Sequence, residues 1–75
     1  MSIDTLMDGL MSMYNADPEG IENEVIECYS QEHYEVPDSV TIVEEGVIVV
    51  VAGEDIPLGI DMLEEVISSY KESLV

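Results

Sequence analysis

Positive charge is almost absent from this chain. Lys71 is its one basic side chain, set against 18 Asp and Glu in 75 residues, for a formal net charge of −17. A field of that sign repels nucleic acid and anionic membranes and attracts basic surfaces and cations. Direct binding to nucleic acid, which relies on Lys and Arg at the phosphates, is thereby excluded. Trp and Phe are missing altogether, and with them the broad rings on which a sugar would stack. A single cysteine, Cys28, rules out an internal disulfide and fits a reducing compartment. No stretch approaches the ~20 apolar residues of a membrane helix. The opening MSIDTLMDGL has neither the basic start nor the apolar run of a signal peptide. The expectation is a cytoplasmic protein with no membrane partner.

The scarcity extends to catalytic groups. Nucleophilic catalysis needs a nucleophile and a base that activates it. The one His, His33, lies five residues from Cys28, off its helical face. Glu24 and Glu27 beside Cys28 would raise a thiol pKa, whereas a reactive thiol wants positive charge nearby. The five glycines are scattered, and none forms a phosphate loop with Lys71. The carboxylates never fall into the Asp-x-Asp-x-Asp-Gly spacing of a calcium loop; Asp17-Pro18-Glu19-Gly20 and Glu44-Glu45-Gly46 are too short. No catalytic, cofactor-binding or metal-binding residues are therefore expected.

What the chain does have is apolar periodicity. Hydrophobic residues make up 47% of it, enough to fold where a disordered acidic chain would not. Ile3, Leu6, Met7, Leu10, Met13 and Tyr14 form one stripe at three- and four-residue steps, predicting a helix over 2–14 with Ser2 as its cap. Asp17 then caps a second helix with Pro18 in its first position, its apolar face being Ile21, Val25, Ile26 and Tyr29. Val40–Val43 and Val47–Val51 are β-branched runs joined by Glu44-Glu45-Gly46, a hairpin with a bulge. Tyr34 and Val36, alternating with Glu35, make room for a third short strand. A last helix starts near Pro57 or Gly59, with Leu63, Val66, Ile67, Tyr70 and Leu74 as its stripe. The whole, residues 1–75, reads as a single α+β domain: helix, helix, hairpin of two or three strands, helix. Five successive apolar residues from Val47 to Val51 make both faces of the second strand apolar, which predicts a homodimer.

Asp38-Ser39-Val40 resembles the Asp-Ser-Leu motif of acyl carrier proteins, which are also acidic and of this length. The resemblance implies a phosphopantetheine arm on Ser39 at the opening of a helix, yet Val40–Val43 here reads as a strand. The stronger signal is the distribution of acids. Glu19, Glu22, Glu24 and Glu27 crowd the second helix. Asp61, Glu64, Glu65 and Glu72 lie opposite the stripe of the last, and Glu44 and Glu45 stand at the hairpin tip. Like charges three or four residues apart destabilise a helix by a few tenths of a kcal/mol per pair, and ordinary sequences answer them with Lys or Arg. Helical carboxylates at 1.5 Å rise per residue can imitate DNA phosphates, one per ~1.7 Å of duplex axis. In size and charge the chain resembles the small acidic phage proteins that block restriction, repair or CRISPR enzymes. The expected function is non-enzymatic: those ten carboxylates occupy the basic surface of a nucleic-acid-binding protein. A general acidic adaptor without mimicry, contacting its partner through the hairpin tip or the Met-rich first helix, is the alternative.

Overall fold

A computed structural model describes residues 2–74. Three helices, α1 (Ile3–Ala16), α2 (Pro18–His33) and α3 (Ile60–Ser73), accompany strands β1 (Ser39–Val43), β2 (Gly46–Val51) and β3 (Glu54–Pro57). The strands form an antiparallel meander in the order β1-β2-β3. The α+β class and the order of elements are those the periodicity predicts.

The first two helices turn on one residue. The Asp17 backbone N–H donates to Met13 and ends α1. The Asp17 carboxylate then accepts from the Gly20 N–H at 3.2 Å, capping α2, and from the Tyr70 hydroxyl of α3 at 3.1 Å. Partial burial, together with that bond, raises the Tyr70 phenol pKa. A side chain at Gly20 would push the Asp17 carboxylate out of its capping position, so glycine suits the cap where helix propensity alone would favour alanine. Ser2 caps α1 as expected, accepting from the Thr5 N–H.

The third strand is not where the alternation of Tyr34 and Val36 suggests. Tyr34 closes α2 in the left-handed conformation (φ 58°, ψ 29°), its N–H bonded to Ser30, and it is 93% exposed. The strand is instead Glu54–Pro57, paired to β2 through Ile48↔Pro57 and Val50↔Asp55. An edge position tolerates both its proline and its acids. Ala52 and Gly53 make the turn into it, both at positive φ, as a two-residue type I′ hairpin demands. The β1–β2 loop is also two residues, Glu44 and Glu45, because Gly46 pairs with Val43 and belongs to the strand. Gly59, not Pro57, caps α3.

The strands alternate, and the core takes one face. Val47, Val49 and Val51 are buried with Leu6, Leu10, Ile21, Val25, Leu63 and Val66, and Val40, Ile42 and Ile56 pack against them. Ile48 and Val50 point the other way and stay half-buried. All three helices thus cover the same face of the sheet. Leu74, expected in the α3 stripe, is exposed.

Candidate functional site

The ten carboxylates expected to meet a partner fold into separate patches. The largest lies along α2 and α3. These helices pack together: Asp17 at the start of α2 meets Tyr70, and Cys28, further along α2, lies near Ser69 and Glu65. Cys28 marks the seam. Its thiol pKa is raised by burial first, then by the carboxylates of Glu24 and Glu65 and, more weakly, Glu27, against a lowering contact from Ser69. Acids of two helices therefore converge on the seam. At about 100° per residue, Asp61, Glu65 and Glu72 fall within about 40° of one another on α3, and all three are exposed. Glu24 and Glu27 lie about 60° apart on the adjoining flank of α2. These five make a convex ridge.

The other five do not join it. Glu19 and Glu22 continue around α2, so its four acids spread over about 200° of circumference and form no single row. Glu64 lies about 100° from Glu65 and only about 20° from Lys71. Those two line a shallow groove beside Leu6 of α1. The remaining pair, Glu44 and Glu45, reaches α1 instead. The hairpin tip and the polar flank of α1 enclose a groove of ≈ 540 Å³ lined by Asp4, Met7, Asp8, Met11, Ser12, Asn15, Glu44 and Glu45. It has four carboxylates on its walls and two methionines among them. Asp4 and Asp8 were not expected at a site. Their four-residue spacing puts them on one flank of α1, but only tertiary structure brings the hairpin tip against that flank.

The groups considered for catalysis are otherwise engaged. Cys28 is buried with its thiol held protonated, so it offers no thiolate at neutral pH. His33 is exposed and its ring stacks on Tyr29, with centroids 4.3 Å apart. Ser39 opens β1 opposite Val50 rather than opening a helix, a departure from the acyl carrier pattern. Among the described residues, no three His, Cys, Asp or Glu side chains gather closely enough to hold a metal ion, and no helix is long and apolar enough to cross a membrane. Compared with family models, curated proteins and solved structures, the chain matches none.

Proposed function

We propose that this chain is a non-enzymatic inhibitor of a nucleic-acid-binding protein, whose α2–α3 ridge occupies the basic cleft that would otherwise hold phosphates. One feature supports the reading: Glu24 and Glu27 of α2 and Glu65 of α3 all lie near enough to the buried Cys28 to raise its thiol pKa, while the lone cation, Lys71, falls about 120° from Glu65 around α3. Two packed helices hold their axes ~8–10 Å apart, and carboxylates four residues apart along one of them are ~6 Å apart along its axis. The ridge thus presents two rows of negative charge at spacings comparable to a short piece of nucleic-acid backbone. Binding is steered by the long-range field, is fast, and weakens with salt.

The test is competition. The full chain is immobilised, incubated with extract of its source cells, and eluted with salt. The captured protein is then assayed for DNA and RNA binding with and without the chain. Mutually exclusive occupancy supports the ridge as a mimic. A complex holding chain and nucleic acid together refutes it.

The groove between α1 and the hairpin tip favours a second reading. Acidic walls with Met7 and Met11 between them suit a basic amphipathic segment, since methionine adapts to varied apolar partners. This reading makes the chain an acidic adaptor without mimicry. Glu45→Lys with Asp8→Lys would abolish that binding and leave ridge binding intact.

A further inference from the structure

We propose that the free edge of β1 is a docking site for an extended basic segment of a partner protein, which adds to the sheet as a fourth strand. β1 ends the order β1-β2-β3, and among the described residues no strand pairs with its far side. The hydrogen-bond phase fixes which groups that side presents. The Val47 carbonyl of β2 accepts from the Leu58 N–H and so faces β3. Ile42, the β1 residue opposite Val47, is then a non-hydrogen-bonded partner and turns its own N–H and C=O outward. Val40, opposite Val49 and two residues along, does the same. No hydrogen bond from outside the sheet engages either residue among those described. Every residue of β1 is exposed or half-buried, whereas alternate residues of β2 are buried.

The two edges of the sheet are unlike. By the same phase, β3 turns Asp55 and Pro57 outward. Pro57 has no N–H to donate and Asp55 is charged, and both features blunt an edge against further pairing. β1 contains neither proline nor charge, and its five residues are an ordinary strand length. The chain leading into it exposes two large apolar side chains, Tyr34 and Val36. Unpaired donors and acceptors at strand spacing match another extended backbone.

Charge at the two ends selects that backbone. Exposed Asp38 precedes β1, and exposed Glu44 and Glu45 follow it. The segment that fits has Lys or Arg at both ends and uncharged β-branched residues between them, beside Val40 and Ile42. A second copy of this chain fits poorly. Antiparallel pairing of two β1 edges about Thr41 would set Asp38 of one copy against Glu44 of the other, and like charges directly opposite are destabilising.

The test titrates the full chain with the synthetic peptide Lys-Lys-Val-Thr-Val-Thr-Lys-Lys, at about 0.1 M NaCl, where fields beyond ~10 Å are screened. Amide NMR with hydrogen exchange reads the edge directly. At saturation the Val40 and Ile42 amides should exchange at least about tenfold more slowly. The same peptide N-methylated at its four central amides keeps every charge but cannot pair. It should bind at least about tenfold more weakly. A peptide with Glu in place of each Lys should weaken by at least as much. Ile42→Pro removes an outward donor and no bond to β2, so it should also weaken binding. If that variant unfolds, the methylated peptide on the unaltered chain decides. Equal affinity for the methylated and unmethylated peptides overturns the proposal, since charge alone would then attract both. So does unchanged exchange at Val40 and Ile42 with the peptide bound. Protection of these amides that rises with the chain's own concentration also overturns it, because a second copy then holds the edge. The ridge acids belong to α2 and α3, so failure here leaves competition with nucleic acid at the ridge unaffected.

Discussion

The helical side and the sheet side of this domain are built on opposite charge rules. Two carboxylates lie in α1, five in α2 and four in α3, whereas the first two strands have none. The helices accept like-charge pairs at three- and four-residue spacing, which weaken them. The strands instead keep β-branched apolar residues on both faces, although the core uses only one. Each side thus carries an excess that folding does not require: charge on the helices, apolar surface on the sheet. Surplus of either kind is what binding uses.

The largest expected effect separates the ridge from the rest of the acidic surface. Glu24→Lys, Glu65→Lys and Glu72→Lys together should weaken binding to the captured partner about 100-fold or more. Each reversed contact both removes an attraction and adds a repulsion. The same number of reversals at Glu19, Glu22 and Glu64 should cost less than about fivefold, since these lie off the ridge but change net charge equally. Titration calorimetry or surface plasmon resonance at fixed salt distinguishes the two sets. Equal losses would mean that bulk charge, not the ridge, drives binding.

Local patterns made most of the helical side legible, and tertiary contacts hid the rest. Helix caps at Ser2 and Asp17 are one-residue signals with a direct hydrogen-bonding cause, and the apolar stripes located α1, α2 and α3 to within a few residues. β3 was illegible because Glu54, Asp55 and Pro57 are poor strand formers. It exists as a strand because Ala52-Gly53 folds it back onto the apolar β2. Tyr34 and Val36 misled in the opposite direction: two apolar residues alternate there, but the chain is closing a helix and has no strand beside it. Among the site residues, helical spacing predicted that Asp61, Glu65 and Glu72 share a strip. It could not show that Glu24, Glu27 and Glu65 all come near Cys28, nor that Glu44 and Glu45 line one groove with Asp4 and Asp8.

The next effect tests how firmly the helical side is joined. Asp17→Ala removes the α2 cap and the bond to Tyr70 together. Loss of the cap alone costs about 1 kcal/mol, and the Tyr70 bond adds to it. Tyr70→Phe removes only that bond, so it should lower the melting temperature less than Asp17→Ala does. Gly20→Ala should also destabilise, against its helix propensity, because the added methyl displaces the Asp17 carboxylate. Thermal melts of the three variants rank them. A neutral Gly20→Ala would show that the cap is dispensable.

Salt probes the like-charge repulsion concentrated on the helical side. Raising NaCl from 0.01 M to 0.1 M shortens the Debye length from ~30 Å to ~10 Å. Relief of a few tenths of a kcal/mol at each of several pairs should raise the melting temperature by about 5 °C. The Cys28 thiol gives a second readout of the same side. Its folded pKa is raised, so the stability it contributes is complete below the ordinary thiol range and fades as pH rises through the raised value. At neutral pH it should therefore react with an alkylating reagent only when the chain opens, and more slowly at high salt. A flat melting temperature would show that the acids are well separated or already carry bound cations.

The smallest effects compare one backbone feature on the two sides. Tyr34 at the end of α2 and Ala52 in the β2–β3 turn are the non-glycine residues at positive φ among those described, 58° and 53°. An L-residue there costs roughly 1–2 kcal/mol, and asparagine tolerates the conformation best after glycine. Tyr34→Asn and Ala52→Asn should each stabilise by about 0.5–1 kcal/mol, a rise of about 2–8 °C. Glycine in place of asparagine gains less, since it also loosens the unfolded chain. The two sites are not equivalent. Register fixes the turn, with Val51 paired to Glu54, so Ala52 has no other conformation to adopt. Tyr34 is held only by its N–H to Ser30, and at 93% exposed its ring has almost no packing to lose. If Tyr34→Asn stabilises the chain yet weakens partner binding, the exposed ring is itself a contact, and the binding surface extends from the ridge to the end of α2. If it stabilises and leaves binding unchanged, the contact stops at the carboxylates.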